Sequence, residues 1–547
     1  MSRKKKLPSE HNAVYRAVDR WFCMSERGTN IKTELYAGLL MFMEVVCMAA
    51  VSAQLIASNG YISSYTTVYY GIMLISTIGT VLMGLICNAP LIQSLSMAGV
   101  TLIVSTLSGY MGLTLANVMM IALISNGVYL LVMLIPPLRR FFAGAVPQQV
   151  KKALPAAMGA YLLVYALSQL GVFGVESHNY SDVLQKMAAA GDALPWWGLN
   201  TTTLSLGNVS ALGWYATNAV ITGVIAFVLL AVFQARKRKH AVALSFLFSA
   251  LAYVALWVIR GSFMDYYFYA FMTPAYGGMY FYDSVPRISS EFNASLLFKS
   301  ITDGFDFARY ENYQKYLESK ALGVSIKDVT LNVTPQLILI CISSVLSFLA
   351  LGVSETAAGV SASAFAANAY DENGEIVYRE NRHLGRFGKL FNVYTVNALS
   401  SVAGCVLGAG PVMVRGESAV GGKEGGKTGL AAIFAAILCG VSLYTVAFSG
   451  IFMNGAILFG ILIFVALTLL MAFKNCDFTS AADAMPFLVT VGAAALTQNL
   501  GTAILCGIVL DTLTKLLSGK AKEIHPGSYV YVLLAIVMVV LPRFIST

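Results

Sequence analysis

The chain has 547 residues, of which 57% are hydrophobic and 12% charged, with a formal net charge of +9. Soluble proteins carry about 25% charged residues, so the composition excludes an ordinary soluble domain and indicates a polytopic membrane protein lying in a lipid bilayer. The basic residues fall in short clusters between apolar runs, the pattern of topology anchors and not of a nucleic-acid surface.

The chain opens on the polar, basic stretch MSRKKKLPSEHN, and the first apolar run is too long for a signal core, so no cleavable signal is expected. Runs long enough to cross a bilayer, ~20 residues each, then recur. In the first half they lie near Glu34–Ala57, Val68–Asn88, Pro90–Ser108, Leu115–Ile135, Leu154–Phe173, Trp214–Ala235 and Ala241–Ile259. In the second half they lie near Pro335–Phe365, Phe387–Gly408, Pro411–Gly422, Thr428–Phe448, Ile451–Phe473, Met485–Thr497 and Leu500–Leu517. A last run, Tyr529–Ile545, reads either as an extra span or as an interfacial helix. The third and tenth runs are short and broken by Ser, Gly or Pro.

Charge sets the expected orientation. Lys4–Lys6, Arg16, Arg20, Arg27 and Lys32 precede the first run, and basic residues follow the fourth and every later even-numbered one, from Arg139 and Arg140 to Lys515, Lys520 and Lys522. The N-terminus is therefore expected in the cytoplasm. Two long segments fall on the outside, Gly174–Gly213 with Pro195-Trp196-Trp197, and the tyrosine-rich Gly261–Thr334. Their aromatics read as an interfacial belt or folded cap, or as a lid over a substrate path. The eight cysteines lie mostly inside apolar runs and form no Cys-x-x-Cys pair, so they read as small packing residues.

Gly408–Leu430, GAGPVMVRGESAVGGKEGGKTGL, is the most informative stretch. It places Arg415 and Glu417 between two apolar runs, where each charge costs about 2.5–3.5 kcal/mol on insertion scales. Pro411 and the surrounding glycines forbid one continuous helix. An interrupted, charged membrane segment is the pattern of a transporter binding site. Two further acids lie inside apolar runs, Glu355 in the eighth and Glu44 midway through the first. A carboxyl in a dry site can take a proton on one side of a membrane and release it on the other, and it suits the paired N–H and C=O edge of a nucleobase. A carboxylate merely paired with Arg415 is the plainer reading of Glu417. Gly421–Thr428 matches the P-loop pattern literally, but membrane runs flank it and no α/β domain surrounds it, so ATP binding is not expected. Neither a His-Glu-x-x-His motif, a nucleophile elbow nor a metal cluster is visible. His11, His178, His240, His383 and His525 fall in loops, so no enzyme activity is expected.

Several segments together resemble the nucleobase–cation symporter 2 (xanthine/uracil permease) family, in its adenine–guanine–hypoxanthine branch. They are the first-run start from Arg27 to Gly38, Ile78–Gly84, Glu417–Gly421 continuing through Gly425–Leu430, and the tail from Lys515 to Pro526. The resemblance implies an all-α polytopic fold of about 14 spans in two inverted seven-span repeats, with spans 3 and 10 half strand and half helix. It implies a core domain from 34–136 and 335–448, and a gate domain from 154–260 and 451–517. A cytoplasmic N-terminus (1–33), an outer loop (174–213), an extracytoplasmic insertion (261–334) and a C-terminal segment (518–547) complete the chain. In the family an acid of span 8 and one of span 10 hydrogen-bond the base, and the first is linked to the transported proton. By position these are Glu355 and Glu417.

This chain departs from the family's pattern at several site positions. The family usually has an uncharged residue at Glu44, which here reads as an answer to Arg415, as a second proton site or as part of a structural ion pair. Branch members carry a Gly-Leu-Asn run in span 3, where this chain has Ala98-Gly99-Val100 after Met97; the backbone near Met97–Gly99 would complete the pocket without the amide. An acid expected at Gly352 is missing, and the Thr-rich run before the span-10 acid is replaced by Pro411–Gly416. The resulting expectation is proton-coupled uptake of a nucleobase, of the purine class, across the plasma membrane. Glu355, Glu417, Glu44, Arg415 and Met97–Gly99 would form the site, and Glu355 would carry the proton. The alternative is a small-anion or urate-like transporter using Arg415. No cofactor is expected beyond the coupling proton, with sodium the other candidate ion, and a homodimer through the gate is compatible with the resemblance.

Overall fold

The computed structural model describes residues 13–58, 65–95, 97–110, 113–170, 172–177, 202–206, 213–238, 240–263, 302–307, 333–369, 392–444 and 455–545. Long apolar runs fold as helices because lipid offers no partner to backbone N–H and C=O groups, which must be satisfied within the segment. A short amphipathic helix α1 (Ala13–Phe22) and one turn, α2 (Met24–Arg27), lead into α3 (Ile31–Ser58) and α4 (Tyr65–Leu82), which ends in a π-helical turn over Met83–Cys87. The third apolar run is then broken into β1 (Gln93–Leu95) and α5 (Met97–Thr101), with a π-helical continuation over Leu102–Tyr110. Helices α6 (Leu115–Leu134), α7 (Pro136–Ala145) and α8 (Gln148–Gln169) follow, then a hairpin of β2 (Phe173–Ser177) and β3 (Thr202–Leu206), then α9 (Gly213–Ala235) and α10 (Ala241–Phe263).

The second half repeats this order. Helices α11 (Val333–Ala366) and α12 (Val393–Val406) precede a second broken run, made of β4 (Val412–Val414), a 3₁₀ turn over Gly416–Ser418 and α13 (Ala419–Lys423). After it come α14 (Gly429–Ser442), α15 (Phe459–Leu470), α16 (Ala481–Thr497), α17 (Leu500–Leu517) and a final helix α18 (Pro526–Ile545). Seven of these helices are long and apolar enough to cross a bilayer, namely those of the first, second, fourth, fifth, eighth, twelfth and fourteenth runs. The sixth, seventh, ninth, eleventh and thirteenth are shorter apolar helices. With the two broken runs this gives, among the described residues, two sets of seven membrane segments, and α18 is a further apolar helix after them. The inversion of one set relative to the other is visible at the centre, where the equivalent strands β1 and β4 pair antiparallel, Gln93 opposite Val414 and Leu95 opposite Val412.

Packing collects the helices around that crossing. Helix α14 lies along α3 and α4, α12 along α6, and α8 along α15 and α16. Helix α11 touches α6, α8, β4 and α13, so it borders both broken runs' surroundings. Its close approach to the strand depends on Gly359, where a Cβ would sit 3.0 Å from the Val414 carbonyl carbon and nearer still to its oxygen. One buried apolar cluster runs continuously from Leu40, Met41 and Val45 through Tyr69 and Ile72 to Met158 and Ile461.

Helix ends are closed by side chains, as a water-poor setting requires. Thr114 and Asn117 form a capping box on α6, and Asn392, Ser480 and Asn499 cap α12, α16 and α17. Asn117 also donates to the carbonyls of Gly304 and Asp306, tying a short piece of the long segment after α10 to α6. Helix α18 packs on α7, α11 and α17, and Ser528 donates to the Ala145 carbonyl at 2.7 Å. The Trp196–Trp197 pair, the tyrosines of 266–282, His11, His178, His383 and the start of the ninth run lie outside the described residues.

Candidate functional site at the crossing of two broken helices

The site begins with backbone. Strands of three residues leave most of their polar groups unpaired, and buried groups of that kind must find partners. The Arg415 N–H donates to the Ile92 carbonyl at 3.0 Å, and the Ile92 N–H donates to Ser418 Oγ at 3.1 Å, so each broken run closes the other. Around them is a shell of small polar side chains. Thr80 Oγ1 accepts from the Gln93 N–H at 3.0 Å, Ser76 donates to Ser94 at 3.0 Å, and Ser401 donates to the Val412 carbonyl. Gln93 Nε2 donates to Asn397 Oδ1 at 3.2 Å, and Asn397 Nδ2 donates to Thr356 Oγ1 at 2.9 Å. This relay joins β1 to the residue next to Glu355.

Inside that shell lies the charge. Arg415 Nη2 donates to Glu417 Oε1 at 2.5 Å and to Glu44 Oε1 at 3.4 Å. Glu44 is 0% exposed, Glu417 2%, and Arg415 and Glu355 4% each. The 3₁₀ turn at Gly416–Ser418 is what makes the short pair local, because it swings Glu417 back toward the residue two positions before it. Glu44 arrives from the middle of α3, 371 residues away in sequence. Glu355, on α11, lies within electrostatic range of Arg415 and of Tyr161. Two polar atoms of the triad are buried without a partner, Glu44 Oε2 and Arg415 Nε.

The structure therefore brings together four of the residues singled out from sequence: Glu44, Glu355, Arg415 and Glu417. The span-3 positions are close by. Ala98 packs in a small apolar cluster with Met413 of β4 and Leu351 of α11, while Gly99 lies in α5 and contributes backbone alone. Met97 opens α5, but its side chain is outside the described set. At Gly352 a Cβ would face Asn126 and Tyr129 of α6 at 3.8 and 3.9 Å.

Two residues beside the candidate site, Tyr161 and Tyr165, do not stand out in the sequence. They sit one turn apart on α8 with near-parallel rings, 6.4 Å between centroids. Tyr161 is within electrostatic range of Glu355, Arg415 and Glu417, and Tyr165 of Arg415, Glu417 and Glu44. The i, i+4 spacing of two tyrosines on one face of an apolar helix was the available signal. Between them and the break lies Met158, whose side chain occupies the space a Cβ on Gly416 would need.

The P-loop-like stretch has another use. The Lys427 and Thr428 N–H groups donate to the two Glu34 carboxylate oxygens at 2.9 and 3.3 Å, and the Gly429 N–H donates to Asn88 Oδ1 at 2.8 Å. Arg27 Nη1 donates to the carbonyls of Asn88 and Lys427 at 2.7 and 2.6 Å. The amides that would cradle a phosphate are taken by an internal carboxylate. Among the described residues no His, Cys, Asp and Glu group could hold a metal ion.

A crossing of two half-helices, ringed by long apolar helices and charged at its centre, defines a membrane transporter. No protein-family model matches the chain. It is 24% identical over 516 residues to the guanine/hypoxanthine permease GhxP of Escherichia coli O157:H7, covering 94% of each chain. It is 20% identical over 528 residues to the adenine permease AdeP of Escherichia coli K12, covering 96% of each. The solved transmembrane domain of a cyanobacterial bicarbonate transporter, BicA, aligns with 87% of this chain and 97% of its own at 13% identity and a TM-score of 0.46. The chain is thus homologous over nearly its whole length to proteins that are permeases and not enzymes, in agreement with the resemblance carried by Glu417–Leu430.

Proposed function

We propose that the protein is a proton-coupled secondary transporter that takes up a nucleobase of the purine class across the plasma membrane. The observation that carries this reading is the meeting of Glu355, Glu417 and Arg415 at the crossing of the two broken runs, in a chain homologous along its length to guanine/hypoxanthine and adenine permeases. A base with adjacent N–H and C=O groups matches carboxyl groups that both accept and, when protonated, donate. Glu355 and Glu417 hold the base, the backbone at Met97–Gly99 closes the pocket, and Glu355 carries the proton. Helices α3–α6 and α11–α14 act as the core that carries the site. Helices α8–α10 and α15–α17 act as the gate it moves against, with the N-terminus in the cytoplasm and the gate available for a homodimer contact. A small anion on Arg415 is the less favoured cargo, because Nη2 of that guanidinium is already committed to two carboxylates.

Uptake of labelled hypoxanthine into proteoliposomes tests the roles of the two acids. Glu355→Gln is expected to abolish accumulation driven by an inward proton gradient, and Glu417→Gln to weaken base binding by at least tenfold. Gradient-driven uptake by Glu355→Gln equal to that of the unaltered protein would remove Glu355 from the mechanism.

A further inference from the structure

The triad of Glu44, Arg415 and Glu417 is more acidic than an ion pair needs. One guanidinium cannot neutralise two carboxylates, and a second buried negative charge beside the first is strongly disfavoured where the dielectric is low. Both carboxylates reach the same nitrogen, Nη2, at 2.5 and 3.4 Å, so the two carboxyl groups meet at one donor. Glu44 Oε2 is fully buried and receives no donor from the protein. A buried acceptor oxygen without a donor, on a carboxyl that shares one guanidinium nitrogen with a second carboxyl, lacks one hydrogen.

We propose that Glu44 and Glu417 share a single exchangeable proton beneath Arg415, forming a proton-binding site separate from Glu355. The pair exchanges between two states. With the proton, the triad is neutral, one O–H lying between the carboxyls and the guanidinium pairing with the remaining negative charge. Without it, the triad carries one net negative charge. Uptake forms one O–H bond from a proton of the bulk phase, and release returns that proton to the phase on the other side; no other bond changes. The surrounding groups leave this equilibrium to the pair. Tyr161 and Tyr165 face it from α8, Cys439 from α14 and Cys47 from α3 itself, and phenols and thiols of these types are ordinarily neutral near pH 7. Glu355, from α11, is a further carboxyl in range of Arg415, so its state and the pair's are linked. The role of a second proton site rests on the transport reading above, whereas the shared proton does not.

The test is infrared spectroscopy of the purified, lipid-reconstituted protein through a pH titration, reading the C=O stretch of protonated buried carboxyls. It needs no substrate. Glu355→Gln should keep a titrating buried-carboxyl band. Adding either Glu44→Gln or Glu417→Gln to that variant should remove the same component of the band, because the one remaining carboxylate then pairs with Arg415 and stays ionised, and what remains belongs to other buried acids such as Glu34 and Asp511. Each double variant keeps one balanced ion pair in an isosteric frame, and a thermal unfolding profile like that of Glu355→Gln confirms its fold. A band left unchanged by either double substitution, or two substitutions that remove different components, overturns the shared proton. Failure of the unaltered protein to take up labelled hypoxanthine would instead count against the transport reading, whatever the spectra show.

Discussion

Removing the guanidinium of Arg415 should expose how far the triad holds the two broken runs and α3 together. At an effective dielectric of about 20, unit charges 3.4 Å apart attract by about 5 kcal/mol, and the Glu417 contact is shorter. Desolvation offsets much of that gain while the cation is present, but removing one partner leaves the opposite charges buried and uncompensated. Such truncations destabilise by about 3–5 kcal/mol. Arg415→Met is therefore expected to lower unfolding free energy by that amount at pH 8, measured by equilibrium denaturation in mixed micelles. The deficit should shrink as pH falls, because protonating the orphaned carboxylates removes the uncompensated charge. Neutralising all three positions, Arg415→Met with Glu44→Gln and Glu417→Gln, should recover stability to within about 1 kcal/mol of the unaltered protein, as neutral replacements of buried pairs often do. A loss below about 1 kcal/mol for Arg415→Met alone at pH 8 would refute the pairing on which the site is built.

Other outcomes follow from single contacts. Gly416→Ala should impair uptake by forcing Met158 aside, and shortening that side chain with Met158→Ala should restore it; a double variant no better than Gly416→Ala would show that the clash is not the cause. Gly359→Ala meets backbone and not a flexible side chain, so no neighbouring substitution should rescue its yield of folded protein. Glu34→Gln weakens acceptance from the Lys427 and Thr428 amides and should cost about 1–3 kcal/mol in the same denaturation assay. Lys515→Ala, at a half-buried i, i+4 pair with Asp511, should change stability by less than about 1 kcal/mol.

Much of this architecture is legible in the amino-acid order because lipid simplifies the problem. Runs such as Leu500–Leu517 coincide with their helix end to end, since length and apolarity alone decide a spanning segment. Pro411 and the glycines near it mark the break that becomes β4 and the turn at Gly416–Ser418. The proximity of Arg415 to Glu417 is local and could be read directly. Which helix faces lie together could not be read. In a membrane both the lipid and the packed faces of a helix are apolar, so periodicity does not tell them apart. Tyr161 and Tyr165 do not stand out for that reason, and neither does the relay from Gln93 through Asn397 to Thr356, whose members are widely separated in the chain. The P-loop-like run shows the same limit from the other side, because only Glu34, almost 400 residues earlier, reveals what its amides bind.

The most direct test of the central claim is uptake of labelled hypoxanthine or guanine by the purified protein in proteoliposomes, with and without an inward proton gradient. The account predicts accumulation above equilibrium only when the gradient is present, competed by other purine bases and not by bicarbonate or sulfate. Gradient-independent uptake of an inorganic anion, with no accumulation of either base, would contradict it.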